Sequence, residues 1–145
     1  MKIQDVAGGQ NREFSLKLTE AKRYCPPATE DLKINTENRN DAIQAEHIKY
    51  GPLNISEPGN YWEEIAEFWD TTEKAAKSSL CENCAAFDIS PRMLDCMPGE
   101  LEDENGYLGY CWMHKFKCHS ARTCRTWAKG GPIDTNETSY SWEKE

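Results

Sequence analysis

The chain has little hydrophobic sequence for its length. Of its 145 residues only 38% are hydrophobic, and the mean hydropathy is −0.83. No apolar run approaches the length of a membrane-spanning helix, so we do not expect a membrane protein or a membrane partner. A large apolar core is not expected either. A chain of this size then needs another source of stability, such as a bound metal or disulfide bonds.

A secretory signal is also missing, because residues 1–10 are polar and include two glycines without an apolar segment. We therefore expect the protein in the cytoplasm where it is made, which is a host cytoplasm if the protein is viral, or in a virion. Thiols stay reduced in a cytoplasm, which favours metal binding over disulfide bonds for most of the cysteines.

Catalytic motifs are absent as well. The three histidines, His47, His114 and His119, have no nucleophile pattern near them in the sequence. No P-loop, dinucleotide-binding glycine pattern or G-x-S-x-G motif is found, so we do not expect an enzyme. The formal net charge is −8, and an acidic surface repels phosphate, so a nucleic-acid partner is not expected.

Cysteine is what the sequence has in excess. Six of the seven cysteines fall between residues 81 and 124, beginning with the Cys-x-x-Cys pair of Cys81 and Cys84. The others in this group are Cys96, Cys111, Cys118 and Cys124. Cys25 stands alone beside two prolines and is expected to be a free thiol. Four thiolates suit either a [4Fe–4S] cluster or a zinc ion, so this group predicts a metal site.

The distribution of apolar residues divides the chain into three segments. Residues 1–58 have sparse apolar residues and predict an extended N-terminal arm that becomes ordered against protein partners. Residues 59–131 are the cysteine-rich module, and residues 132–145 are an acidic tail that offers a second surface for protein partners. Within the arm, a short strand is predicted at residues 14–18 and a helix over residues 41–49, capped by Asn40.

Short elements are predicted within the module. They are a helix over residues 60–79 capped by Asn60 and broken at 70–72, a helical turn beginning at Ser90-Pro91, a hairpin over 110–118, and a helix over 121–128 capped by Ser120. The predicted fold class is therefore a small, irregular α+β domain held together by a metal cluster, with short helices, a small hairpin and the long arm.

The cysteine pattern resembles that of high-potential iron–sulfur proteins. Members of that family have a Cys-x-x-Cys pair followed by an aromatic residue, then Gly-x-Cys, then a last cysteine followed by an aromatic residue. The matching residues here are Cys81-Glu82-Asn83-Cys84 with Phe87, Gly109-Tyr110-Cys111, and Cys124-Arg125-Thr126-Trp127. The resemblance implies one [4Fe–4S] cluster bound by Cys81, Cys84, Cys111 and Cys124. It implies electron-transfer capacity, or a cluster used as a structural staple in a larger assembly.

A second register of the same pattern stays open. In this alternative alignment of the motif, the cluster ligands are Cys81, Cys84, Cys96 and Cys111. It is suggested by Cys96-Met97-Pro98-Gly99, which is similar to a stretch that precedes the family's final cysteine. In the preferred register Trp127 occupies the place of the family's closing aromatic residue. Cys96 and Cys118 are then spare, and a disulfide between them is possible beside the metal.

Zinc is the alternative metal. Cys111-x-x-His114 together with the Cys-x-x-Cys pair has the spacing of a Cys₃His site, and His119 is a further candidate ligand. The protein would then be a zinc-stapled interaction or nucleic-acid-binding module. A short, acidic chain with one cysteine-rich module also resembles small phage-encoded proteins, which implies a phage structural protein in a virion.

Overall fold

The computed structural model describes residues 24–53 and 59–144. Its elements are α1 (Pro27–Glu30), α2 (Leu32–Gln44), α3 (Tyr61–Trp69), α4 (Glu73–Lys77), a 3₁₀ turn (Cys81–Asn83), β1 (Phe87–Asp88), α5 (Pro91–Cys96), β2 (Glu102–Asp103), β3 (Gly106–Cys111), β4 (Phe116–His119) and α6 (Asn136–Glu143). Short helices and a small antiparallel sheet confirm the predicted α+β class. Within these two ranges, no helix combines the length and apolar composition needed to cross a membrane.

The sheet is built around β3. Strands β1, β2 and β4 each pair with it in antiparallel register, and β4 forms the hairpin that the sequence predicted. In this hairpin Cys111 lies opposite Phe116, and Gly109 lies opposite Cys118. Because side chains alternate between the two faces of a strand, this register places Cys111 and Cys118 on the same face.

Helix α3 forms where its aromatic stripe predicted it. Its buried side chains pack with α4 in a separate small core of Trp62, Ile65, Ala66, Ala76 and Leu80. Asp70 ends the helix in a left-handed conformation with φ of 59°, at the predicted break. The next helix, α4, is capped by Thr72, whose hydroxyl accepts a hydrogen bond from the Ala75 N–H, and not by Thr71.

The prediction of an extended arm is wrong for residues 24–53. Pro27 occupies the first position of α1, where its missing N–H leaves no hydrogen bond unmade. Asp31 then caps α2 by accepting hydrogen bonds from the first turn, so the helix begins at Leu32 and not beside Asn40. The strand predicted at residues 14–18 lies outside the described residues.

The helical segment 24–53 also contributes to the main core. Ala42, Ile48 and Tyr50 are buried there together with cysteines of the module. The Tyr50 ring meets Phe116 edge-on with centroids 4.8 Å apart, and its hydroxyl accepts a hydrogen bond from the backbone N–H of His119 at 2.9 Å. This segment therefore packs against the hairpin. The proposed boundaries at residues 58 and 131 stay predictions.

The last part of the chain differs from its prediction. No helix forms over residues 121–128, and the Ser120 hydroxyl accepts a hydrogen bond from the Tyr107 N–H at 3.0 Å instead of capping a helix. The helix forms later, as α6, in the tail that composition marked only as acidic. This tail contacts the module through polar groups.

Asp88 anchors α6 to the sheet. Its carboxylate is fully buried and accepts hydrogen bonds from the Trp112 indole at 2.8 Å and from the Ser139 hydroxyl of α6. Arg92 completes the network, since its guanidinium donates to Ser139 Oγ at 2.9 Å and forms an ion pair with Glu143 at 2.8 Å. A buried polar group is stable only with such partners, so α6 is held by the hydrogen bonds of Asp88 and Arg92 and by the ion pair with Glu143.

Candidate metal–sulfur site

Five of the seven cysteines line one cavity, and all five carry free thiols. They are Cys81, Cys84, Cys111, Cys118 and Cys124. The remaining wall is formed by Phe87, Met113, Thr123, Thr126 and Trp127. The enclosed space of the cavity is about 20 Å³, enough for roughly one water molecule, and it is about 280 Å³ when the opening to solvent is included. The structure thus brings together the four predicted cluster ligands and adds Cys118; their role as ligands stays a prediction.

The Cys-x-x-Cys pair is positioned by a 3₁₀ turn. The turn closes with a hydrogen bond from the Cys84 N–H to the Cys81 carbonyl at 2.9 Å. The Cys81 N–H donates to the Arg122 carbonyl at 2.7 Å, which ties the turn to the loop after β4. One tight turn therefore directs both sulfur atoms into the cavity.

The hairpin supplies the next two thiols. Cys111 ends β3, and its sulfur accepts a hydrogen bond from the His114 N–H at 3.4 Å in the turn that follows. Cys118 lies on β4 and lines the cavity on the same face of the hairpin as Cys111.

Cys124 comes from the long loop between β4 and α6. Its sulfur lies 3.1 Å from the hydroxyl of Thr126, and that hydroxyl lies 2.7 Å from Nε2 of His114. The loop is fixed on its outer side by the Arg125 N–H, which donates to the Ile48 carbonyl at 2.6 Å. Cys124 thus lines the cavity from this loop, and its sulfur is hydrogen-bonded to the Thr126 side chain.

Gly131 allows this loop to lie against the Cys-x-x-Cys turn. A Cβ atom at this position would lie 1.7 Å from the carbonyl oxygen of Cys84, a distance that no side chain can accept. On either side, the Ala85 N–H donates to the Ala128 carbonyl at 2.8 Å, and the Gly131 N–H donates to the Asn83 carbonyl at 3.1 Å. The relative position of Cys84 and Cys124 therefore depends on a residue without a side chain.

Burial controls the ionisation of the thiols. It raises the pKa of the Cys124 thiol to about 12, and it also raises the pKa of the Cys84 and Cys118 thiols. The pKa of Cys111 is lowered instead, chiefly because the Cys118 side chain donates a hydrogen bond to its sulfur. Most of these thiols are thus protonated at neutral pH unless a bound cation replaces their protons.

The two predicted kinds of metal site place different demands on the distances between sulfur atoms. Among residues 24–53 and 59–144, no three Cys, His, Asp or Glu side chains are placed to hold one metal ion. Zinc bonds to thiolates at about 2.3 Å, which requires its sulfur ligands to lie within about 4 Å of one another. The thiolates of a [4Fe–4S] cluster each bind a different iron atom. A donor set made only of soft thiols, with no carboxylate in the cavity wall, suits either iron–sulfur or zinc chemistry.

The two histidines named as zinc ligands are engaged elsewhere. Nε2 of His119 lies 3.0 Å from the carboxylate of Asp103, and its Nδ1 accepts a hydrogen bond from the Ala121 N–H at 3.0 Å. Nε2 of His114 contacts Thr126, as described above, and neither ring lines the cavity. The predicted Cys₃His set is therefore not assembled in the structure.

Cys96 lies outside the cavity. It forms a disulfide with Cys25, with Cα atoms 5.5 Å apart, which ties α5 to the residues before α1. The expectation that Cys25 is a free thiol is wrong, and so is the suggested disulfide between Cys96 and Cys118. Because the Cys96 sulfur is engaged with Cys25, the structure does not assemble the register that uses Cys96 as a ligand.

Sequence reasoning missed Cys118 as a member of the site. Strict alternation over residues 110–118 puts Cys111 and Cys118 on opposite faces of a strand. The turn between β3 and β4, which includes Lys115 at a φ of 57°, resets that alternation and returns both to one face. Had the hairpin turn been located at residues 112–115, the sequence would have predicted that Cys111 and Cys118 lie on the same face of the hairpin.

Aromatic side chains form part of the cavity wall. Phe87 and Trp127 line the cavity, and the Trp69 ring lies beside Trp127 with centroids 5.9 Å apart. The Trp127 indole donates to the Leu80 carbonyl at 2.8 Å, which fixes the ring over the Cys-x-x-Cys turn. Trp112 instead points to Asp88. Apolar rings thus limit water access on the side of Cys81 and Cys84.

No protein family, curated protein or solved structure was found to match this chain. The resemblance to high-potential iron–sulfur proteins accordingly rests on the cysteine motifs alone.

Proposed function

We propose that the protein binds one [4Fe–4S] cluster in the thiol-lined cavity. The observation that carries this proposal is the convergence of five free thiols from the 3₁₀ turn, the two strands of the hairpin and the following loop. Buried free thiols scattered through a core need no ligand, but five around one cavity are more than packing requires. Thiolates are the usual ligands of iron–sulfur clusters.

The ligands in this proposal are Cys81, Cys84, Cys111 and Cys124. A bound cluster would supply one-electron redox chemistry or a rigid link between the turn, the hairpin and the loop. The chain's own residues exclude water through Phe87 and Trp127, and they direct hydrogen bonds to sulfur from the His114 N–H and from Thr126. Such hydrogen bonds stabilise the more negative, reduced form of a cluster and raise its potential.

Two uses of the cluster are consistent with this site. In one, the protein carries electrons; in the other, the cluster is a structural staple within a complex of protein partners, such as a virion. A redox titration separates them. A reversible redox couple in the potential range accessible to cells would support electron transfer. Absence of such a couple would support the structural role of the cluster.

Metal analysis tests the central claim. Protein purified or reconstituted without oxygen should be brown and contain iron and acid-labile sulfide in the equal amounts that one [4Fe–4S] cluster requires. Colourless protein that contains zinc without iron or sulfide would contradict the proposal and would support the zinc-stapled module instead.

Single substitutions test the ligand set. We expect iron binding to be lost when any of Cys81, Cys84, Cys111 or Cys124 is replaced by alanine, because each ligand binds its own iron atom. Cys96→Ala is the matched control and should keep its iron, since that sulfur lies outside the cavity. Full iron content in Cys124→Ala together with loss in Cys96→Ala would establish the other register.

A further inference from the structure

An apolar groove lies beside helix α5, and none of its lining residues belongs to the sulfur cavity. Leu94 of α5 is 38% exposed in this groove, and the other apolar side chains of its wall are half-buried. The groove provides about 310 Å³ of space, which is within the size range of clefts that take up ligands. Exposed apolar surface grouped in this way is a common mark of an interaction site. We refer to it as the leucine groove, and its wall consists of Ile89, Leu94, Leu101, Glu102, Tyr107 and Leu108.

The first described residues of the chain lie against the same helix. The Tyr24 carbonyl accepts a hydrogen bond from the Arg92 guanidinium at 3.1 Å, and Cys25 is disulfide-bonded to Cys96. Arg92 and Cys96 both belong to α5, the helix that contributes Leu94 to the leucine groove. The chain therefore enters its described part at α5.

Residues 14–18 read Phe-Ser-Leu-Lys-Leu, the alternating run that predicts a short strand. They lie outside the described residues. In an extended segment the three apolar side chains, Phe14, Leu16 and Leu18, lie on one face. Such a face gains free energy when a second apolar surface covers it.

The length of chain before Tyr24 allows this segment to reach the groove. Six peptide links separate Leu18 from Tyr24, and in extended conformation they span at most about 20 Å. Helix α5 has six residues, so it is about 9 Å long and roughly 10–12 Å across with its side chains. The segment can therefore pass along or around α5 and lie against Leu94.

Charge also favours this pairing. Residues 12–23 contain four basic and two acidic residues, in a chain whose formal net charge is −8. Glu102 lines the groove, and residues 100–104 contain four carboxylates and no basic residue. One of these carboxylates, that of Asp103, contacts His119. Opposite charges on two surfaces favour their association, so the groove suits a basic segment with an apolar face.

We propose that residues 14–18 bind in the leucine groove of the same chain, with their three apolar side chains against its aliphatic wall. The basic residues around the segment then lie near the acidic residues 100–104. A tethered segment has an effective concentration in the millimolar range, which favours it over the same segment of a second copy. The interaction does not involve the sulfur cavity, so its test uses the protein with or without iron.

Trypsin cleavage after Lys17, followed by mass spectrometry, measures whether the segment is bound. The rate in the native full-length protein is divided by the rate in a free peptide of residues 10–23, which has no groove to bind. A protease cleaves a bound segment only when it leaves the surface, so this bond should be cut about tenfold or more slowly in the protein. Phe14→Ser and Leu94→Ser each remove one side of the contact and should raise the ratio toward one. Each variant of the segment is compared with its own matching peptide.

Each variant has a matched control. Leu32→Ser replaces a leucine that is 74% exposed and lies outside the groove, and Ser15→Ala changes the opposite face of the segment. Both should keep the wild-type ratio. Where Leu94→Ser fails to fold, Phe14→Ser tests the same contact from the side of the segment.

Three results would overturn the inference. The first is cleavage of the wild-type protein at the peptide rate. The second is a ratio in Leu94→Ser equal to that in Leu32→Ser, or in Phe14→Ser equal to that in Ser15→Ala, because another surface would then protect the bond. The third is protection that is lost on dilution as size-exclusion chromatography shows a dimer dissociating, since a second copy would then supply the segment.

Discussion

Removal of the Cys25–Cys96 disulfide should destabilise the protein and leave the metal site intact. The bond joins residues separated by 71 positions. Cross-linking a loop of that length removes unfolded-state entropy worth about 4 kcal/mol at 25 °C. Cys96 is also 2% exposed within a core that includes Ala28 and Met93, so its replacement should be by alanine, which adds no polar group there. We expect the double variant Cys25→Ala, Cys96→Ala to lose about 2–4 kcal/mol of unfolding free energy.

Urea unfolding followed by tryptophan fluorescence measures this loss, with iron content measured on the same samples. Wild-type protein treated with a reductant should show the same decrease, because reduction opens the same loop without changing a side chain. The double variant should take up as much iron as the wild type, since both sulfurs lie outside the cavity. A decrease in unfolding free energy below about 1 kcal/mol would refute the cross-link, because the entropy argument expects a decrease of several kcal/mol. Loss of iron from the double variant would refute the division of the cysteines into two bonded and five free.

Three further predictions follow from the site and its supports. Gly131→Ala should abolish iron binding, measured by metal analysis, because its Cβ would overlap the Cys84 carbonyl oxygen; normal iron content would contradict the described loop geometry. Asp88→Ala should cost about 3 kcal/mol in urea unfolding, because the Trp112 indole and the Ser139 hydroxyl lose their acceptor; an unchanged midpoint would show that α6 is not anchored there. Metal loading should release protons, since the raised pKa of Cys124, about 12, keeps that thiol protonated beforehand. Iron affinity should therefore fall as pH falls, and calorimetry in two buffers of different ionisation enthalpy that shows no proton release would contradict this.

The sequence by itself determined the elements whose signals are local. Helix α3 follows from its aromatic periodicity, α5 from Ser90 and Pro91 at its start, and the hairpin from alternation. The set of Cys81, Cys84, Cys111 and Cys124 was implied by the resemblance of the cysteine motifs to those of high-potential iron–sulfur proteins, and the structure places these four, with Cys118, around one cavity. The helices and the hairpin depend on residues a few positions apart, which a sequence displays directly.

The tertiary structure alone decided the elements whose stability comes from distant partners. In α2 the buried residue is Ala42, and in α6 it is Ser139, so neither helix shows a clear apolar stripe. Helix α2 is held by packing against the hairpin, and α6 is held by the buried hydrogen bonds of Asp88 and Arg92. A single buried alanine in α2 and the polar anchoring of α6 leave no hydrophobic periodicity, so composition marked both regions only as polar.

The division of the cysteines was likewise a matter of tertiary structure. Cys25 pairs with Cys96 across 71 positions because the fold brings the residue before α1 to the end of α5, beside a core that includes Ala28 and Met93, and no spacing rule in a chain encodes that contact. Cys118 joins the cavity because the turn between β3 and β4 places it on the same face of the hairpin as Cys111. Sequence can show that thiols are abundant, but their partners are set by which surfaces the folded backbone brings into contact.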